Sequence, residues 1–155
     1  MASARATEIV HDVLEQLVAA FGLRGEVEVT VDGTRITGTV HGSDLGLFIG
    51  RHGQTIDAVQ HLVYRIALQE GVLDDDERVI IDAEGYRARR AAALGRQADR
   101  AADQALRSGR SVALDAMTAS ERKLVHELLR DRGDVETHSE GEEPERRLII
   151  APRVE

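Results

Sequence analysis

The chain has 155 residues, of which 42% are apolar and 31% charged, a balance that fits one average domain or two small ones. It has no cysteine, which excludes disulfide scaffolds, thiolate metal sites and thiol nucleophiles and suits a reducing cytoplasm. The net charge of −8 argues against a simple polybasic nucleic-acid binder.

That charge is uneven. Residues 1–82 hold six Arg and fourteen acidic residues, whereas residues 83–155 hold fourteen basic and fourteen acidic ones. Lys123 is the single lysine among 20 basic residues. The aromatic content of 3% disfavours modules that stack bases on an aromatic sheet. Apolar runs such as Leu45 to Ile49 are too short for membrane insertion, and the amphipathic start of the chain does not read as a signal peptide.

In chain order, Ile9, Val10, Val13, Leu14, Leu17, Val18 and Phe21 recur at spacings of three and four and predict a helix that Gly22 and Gly25 end. Glu26 to Val31 alternates as a half-buried strand, Asp32-Gly33 signals a two-residue hairpin, and Thr34 to Val40 is the return strand. A glycine-rich stretch from Gly42 to Gly53 leads to a helix carrying Ile56, Val59, Leu62, Val63, Ile66 and Ala67. The acidic run Asp74 to Glu77 is a loop, and Arg78 to Ala83 a third strand.

Tyr86 to Arg107 predicts a long helix. Its Arg89, Arg96, Arg100 and Arg107 fall within about 20° of one line, diluted by Asp103, while Leu94, Ala98, Ala101 and Ala105 face a core. Val112 to Leu114 is a short strand. Thr118 and Glu121 form a capping box for a helix to about Asp131. Leu124, Val125, Leu128 and Leu129 make its buried side, and Arg122, Lys123, His126 and Arg130 its basic side. Asp134 to Ser139 and Arg146 to Ala151 pair as strands around the acidic loop Glu140 to Glu145. The boundary between two halves falls near residues 82–86.

Two constellations point to phosphodiester chemistry. Gly50-Arg51-His52-Gly53 sits between an apolar segment and a helix. Glycines without Cβ let a backbone pass close, amides gather at the helix N-terminus, and Arg51 and His52 point outward. No Gly-Lys-Ser/Thr follows, so the turn is not a P-loop. Arg122 and His126, four apart, share a helix face. Arg there offers a forked, permanently charged phosphate donor.

Catalytic readings find little support. His126 to Arg130 opens like a metalloprotease helix but has Arg130 where the second His belongs. The six His residues show no ligand spacing, no nucleophile-elbow glycines surround a serine, and Glu140 to Glu145 lacks the alternating ligands of a calcium loop. No cofactor or metal is expected.

The order helix, strand, hairpin, strand, GxxG, helix, strand, with Ile49-Gly50-Arg51-His52-Gly53-Gln54-Thr55, resembles the KH domain with an extra first helix. KH domains clamp about four nucleotides of single strand on this loop. Ser120 to His126, followed by Ser139 to Ile150, resembles the domain named for an Arg and a His with three residues between (R-3-H). The two in this order, over roughly residues 5–152, resemble the bacterial Jag (SpoIIIJ-associated) family, here as a short form without an additional N-terminal domain.

The expected fold is therefore α+β. A KH-like domain over 1–83 would be joined to an α/β sandwich-like R-3-H domain over 84–155 that includes the long helix 86–108. The resemblance implies a cytoplasmic, non-catalytic binder of single-stranded RNA, with single-stranded DNA as an alternative. It also implies roles in cell elongation or division and a small KH-only partner. Ile49, Gly50, Arg51, His52, Gly53 and Gln54 would form one contact, over an apolar floor that includes Ile56. Arg122, Lys123, His126, Arg130, Arg146 and Arg147 would form another. The competing class is a protein-interaction adaptor whose acidic KH-like half is mainly a dimerisation or partner surface.

Overall fold

A computed structural model describes residues 4–153; the outermost residues of the two expected modules, 1–3 and 154–155, lie outside the described residues. The fold is α+β, in two compact units that divide between Arg87 and Ala88.

In the first unit, α1 (Ala4–Ala20) turns Val10, Leu14 and Val18 inward, as their spacing predicts. It packs on a three-stranded sheet of β1 (Gly25–Asp32), β2 (Arg35–Gly42) and β3 (Arg78–Ala83). β1 and β2 are antiparallel and β2 and β3 parallel, in the order β1-β2-β3. Pairing of Asp32 with Arg35 makes Gly33-Thr34 the hairpin loop, one residue beyond the expected Asp32-Gly33. Gly33 takes the positive φ of +59° that the tight turn requires.

The parallel crossover runs through α2 (Gly46–Ile49), a 3-10 turn (Arg51–Gly53) and α3 (Gln54–Gln69). The apolar segment before the GxxG turn is thus a single helical turn. Phe48, Ile56, Val63, Ile36 and Ile81 fill the core between α1, α3 and the sheet.

In the second unit, α4 (Tyr86–Ser108) buries Leu94, Ala98, Ala101, Ala102 and Ala105. These side chains share a core with α5 (Ala119–Arg130) and a second sheet. That sheet is antiparallel, in the order β4-β6-β5, from β4 (Val112–Ala113), β5 (Val135–Glu140) and β6 (Arg147–Pro152). Thr118 caps α5 with both halves of the capping box in place. Val125, Leu129, Leu148 and Ile150 complete the core.

The rotation of α5 differs from the expected one. Leu128 is 49% exposed, while Arg122 is only 7% exposed and joins Val125 and Leu129 on the inward stripe. No helix among the described residues is long and apolar enough to cross a membrane.

One interaction ties the first sheet to pH. His41 of β2 lies 2.9 Å from Glu28 of β1 and 3.5 Å from Glu84 in the turn after β3. The hydrogen bond to Glu28, with the charge of Glu84 behind it, raises the His41 pKa above its ordinary value. A raised folded pKa stabilises the fold below the unfolded value, near 6.5, and this contribution is lost as pH rises through the folded value. The melting advantage of wild type over His41→Gln is therefore expected at about pH 5.5 and absent by about pH 8.5, measured by circular dichroism. An advantage that grew with pH would contradict this pairing.

Candidate nucleic-acid interface

The GxxG turn is built by two glycine conformations. Gly50 has φ +73° and ψ 175°, a region essentially reserved for glycine. A Cβ on Gly50 would lie 2.1 Å from the Thr55 hydroxyl oxygen. Gly53 is left-handed, at φ +77°, and its Cα faces the Tyr86 ring, which a Cβ would meet at 3.0 Å. Between them His52 also takes a left-handed conformation, φ +53°. Thr55 and Tyr86, the supports of this turn, are absent from the residues expected at the site. Neither carries a local pattern that would reveal its role.

Arg51 is exposed and His52 half-buried, and neither has an ion-pair partner among the described residues. The N–H groups of Gly50, Gly53 and Gln54 already donate to the carbonyls of Gly46, Gly50 and Arg51. Those three of the turn's amides are thus engaged within the turn itself, while Arg51 and His52 offer side-chain donors. Ile49 is half-buried and Gln54 exposed, but Ile56 is fully buried in the core and cannot serve as a floor for bases.

Asp57, the one acid in the first turn of α3, would oppose a phosphate here. It is held by Arg87 at 2.9 Å. The same guanidinium donates to the Ile81 carbonyl at 2.7 Å and to the Gln60 side chain at 3.0 Å, clasping α3 to β3. Within the first unit, the loop's nearest helical charge is thus neutralised internally.

In the second unit, α5, β5 and β6 enclose a groove of about 420 Å³ lined by residues including Arg122, Lys123, His126, Thr137, His138 and Arg146. Its orientation is set by Arg90, whose guanidinium grips Glu121 through two bonds, of 2.6 and 3.3 Å, at the start of α5. Lys123 is exposed, and its nearest acid is Glu127, at 3.9 Å one turn away. The His126 Nδ1 lies 2.5 Å from the Thr137 hydroxyl, which leaves Nε2 without a bond among the described residues. Arg146 donates to the Gly141 carbonyl at 2.7 Å.

Arg122 requires a correction. It is not a solvent-facing donor on a basic helix side but a buried side chain. Its Nη1 donates to the carbonyls of Met117, at 2.5 Å, and Arg146, at 3.5 Å, and its Nη2 to Glu143 at 2.5 Å. A signal was present in the sequence: Arg122, Val125 and Leu129 stand three and four apart, the spacing of one buried stripe.

Two other expected members lie elsewhere. Arg147, the first residue of β6, does not line this groove with Arg146. It lines an acidic cavity with Asp115, Glu140 and Glu145, and lies 4.0 Å from Glu140. Arg130 is exposed and does not line the groove. Along α4, Asp103, expected to dilute the arginine line, is paired with Arg132 at 3.0 Å, and Arg132 lies 3.8 Å from Asp99. Arg132 also binds Asp134, holding that carboxyl below its ordinary range. Among the described residues, no group of three or more His, Asp or Glu side chains is placed to hold a metal ion.

Comparison with known proteins matches both units. Residues 7–83 match the KH domain of the KhpA/KhpB type, and residues 92–152 match the R-3-H domain. The chain is 34% identical over 152 residues to the RNA-binding protein KhpB of Lactiplantibacillus plantarum, covering 98% of this chain and 47% of that protein. It is 36% identical to KhpB of Clostridium symbiosum, covering 90% and 63%, and 35% identical to KhpB of Bacillus subtilis strain 168, covering 85% and 64%. The chain therefore spans about half to somewhat under two thirds of the length of these relatives.

Proposed function

The chain belongs to the bacterial KhpB (Jag) family, in which a KhpA/KhpB-type KH domain precedes an R-3-H domain, and from that premise we propose that it binds single-stranded RNA without catalysing a reaction on it. The observation that carries this reading is the presence, in one chain, of two separate phosphate-sized stations. One is the GxxG turn, where Arg51 and His52 have no ion-pair partner among the described residues; the other is the groove edged by Lys123, His126 and Arg146. Both stations are small islands in a chain of net charge −8. Affinity then rests on a few local contacts, and each phosphate neutralised adds to the salt dependence. In the cell such binding would serve post-transcriptional regulation or RNA chaperoning in the cytoplasm, linked to elongation or division, beside a small KH-only partner.

Fluorescence anisotropy of a short labelled single-stranded RNA tests this. Lys123→Ala/His126→Ala is expected to weaken binding about tenfold or more, since each charge-assisted contact is worth roughly 1.5–3 kcal/mol. Both residues are exposed, so the melting temperature should hold. The adaptor reading keeps one specific observation in its favour: the acidic first unit exposes Leu47 at 63% and Leu62 at 44%. Wild type that captures no RNA at low salt would shift the assignment to that reading.

A further inference from the structure

The contact between Arg122 and Glu143 has the form of an occupied anion site. Arg122 is almost fully buried, yet its partner carboxylate belongs to a side chain that is 56% exposed. Glu143 lies in the connection 141–146 between β5 and β6, with Glu142 and Glu145 beside it. Two backbone carbonyls, from Met117 and Arg146, hold the Nη1 end of the guanidinium independently of Glu143. Among the described residues, the Nη2 end meets only this acidic side chain. Three of the five guanidinium N–H groups are thus engaged among the described residues.

We propose that Glu143 is a built-in stand-in for a phosphate, which an RNA phosphate displaces when the groove fills. The inference rests on the RNA-binding reading above and adds a residue that sets its affinity. A carboxylate and a phosphodiester present the same charge and similar oxygen geometry to an Arg fork. Lys123, His126 and Arg146 around the groove supply the remaining positive charge. On exchange the Glu143 carboxylate returns to water, where it is already half exposed, and the buried Arg122 charge is never left unpaired. An isolated polyanion contact must therefore compete with an attached carboxylate at high effective concentration. Only RNA that also engages the neighbouring groove groups gains enough to win.

The test is anisotropy with labelled single-stranded RNA across a salt series, using the full chain. Glu143→Gln keeps the side-chain shape and an acceptor oxygen while removing the charge. It is expected to bind about three- to tenfold tighter at low salt. Its log–log salt slope should stay close to that of wild type, because Arg122 takes one phosphate in both complexes. Glu142→Gln removes the same charge one residue away, where no ion pair forms among the described residues, and should change affinity less than about twofold.

Tightening by both variants equally would reduce the effect to general charge and overturn the proposal. Weaker binding by Glu143→Gln at unchanged melting temperature would make Glu143 a support for Arg122, with the same consequence. Should that variant fold poorly, carbon NMR of the wild-type Glu143 carboxyl decides. Its resonance must shift as RNA is added, and a static resonance while Lys123 and His126 respond would refute the exchange. Lys123→Ala/His126→Ala is carried alongside: if it and wild type both fail to bind, the RNA reading itself falls. If it weakens binding while Glu143→Gln behaves as Glu142→Gln, only the stand-in falls.

Discussion

Gly50→Ala is expected to destabilise the first unit by roughly 3 kcal/mol, the sum of a disallowed backbone conformation and an overpacked contact. Gly50 combines φ +73° with an extended ψ of 175°, so any Cβ is strained there before its neighbours are counted. Those neighbours are unyielding. The new Cβ would lie 2.1 Å from the Thr55 hydroxyl, 2.7 Å from the Thr55 Cβ and 2.9 Å from the Thr55 backbone nitrogen. A rotamer change could move the first of these but not the last. The melting transition of that unit should fall by more than about 10 °C, read by circular dichroism.

Two comparisons make the expectation specific. Gly53→Ala meets a Tyr86 ring at 3.0 Å that can tilt, and its left-handed φ of +77° with ψ 14° is less forbidding. Its loss should be about half as large. Gly46→Ala places a Cβ in open space within α2 and should be neutral. Equal melting of Gly50→Ala and Gly46→Ala would mean that the turn relaxes freely.

Arg51→Asp/His52→Asp is expected to weaken single-stranded RNA binding by at least about tenfold while leaving the melting temperature almost unchanged. Arg51 is exposed and neither side chain has an ion-pair partner among the described residues, so the fold loses little. His52 sits at φ +53° and ψ 26°, a conformation that Asp tolerates better than most residues. Binding, in contrast, loses one fixed positive charge and gains two negative ones where a phosphate would rest. Each lost charge-assisted bond is worth roughly 1.5–3 kcal/mol, and the salt slope should become shallower. Unaltered affinity in this variant would remove the GxxG turn from the interface and leave the α5–β5–β6 groove alone.

The turn is legible in the sequence because its requirements are local. Two glycines at fixed spacing, with polar residues between them and a helical period after them, need no distant partner to be read. The groove is legible only in part. Lys123, His126 and Arg146 do come together, but Thr137 and His138 arrive from a strand chosen by pairing, and Glu143 arrives from a loop whose acids read simply as solvated. Arg147 reads as a companion of Arg146 because adjacency in sequence looks like adjacency in space. Arg146 ends the loop and Arg147 begins β6, and the two line different cavities.

What the sequence by itself determined is the order and kind of the elements. The 3.6-residue period set α1, α3 and the inward stripe of α4, strict alternation set β1, and Thr118 with Glu121 set the start of α5. These are encoded within a few residues of one another. Tertiary structure alone decided the hairpin register at Asp32 and Arg35, which places Gly33-Thr34 in the loop. It also decided the rotation of α5, which turns Leu128 outward and Arg122 inward. The carbonyl and carboxylate that receive Arg122 lie 24 and 21 residues along the chain. A buried charge is tolerated only where such partners converge, and that convergence depends on how the sheet folds back on the helix.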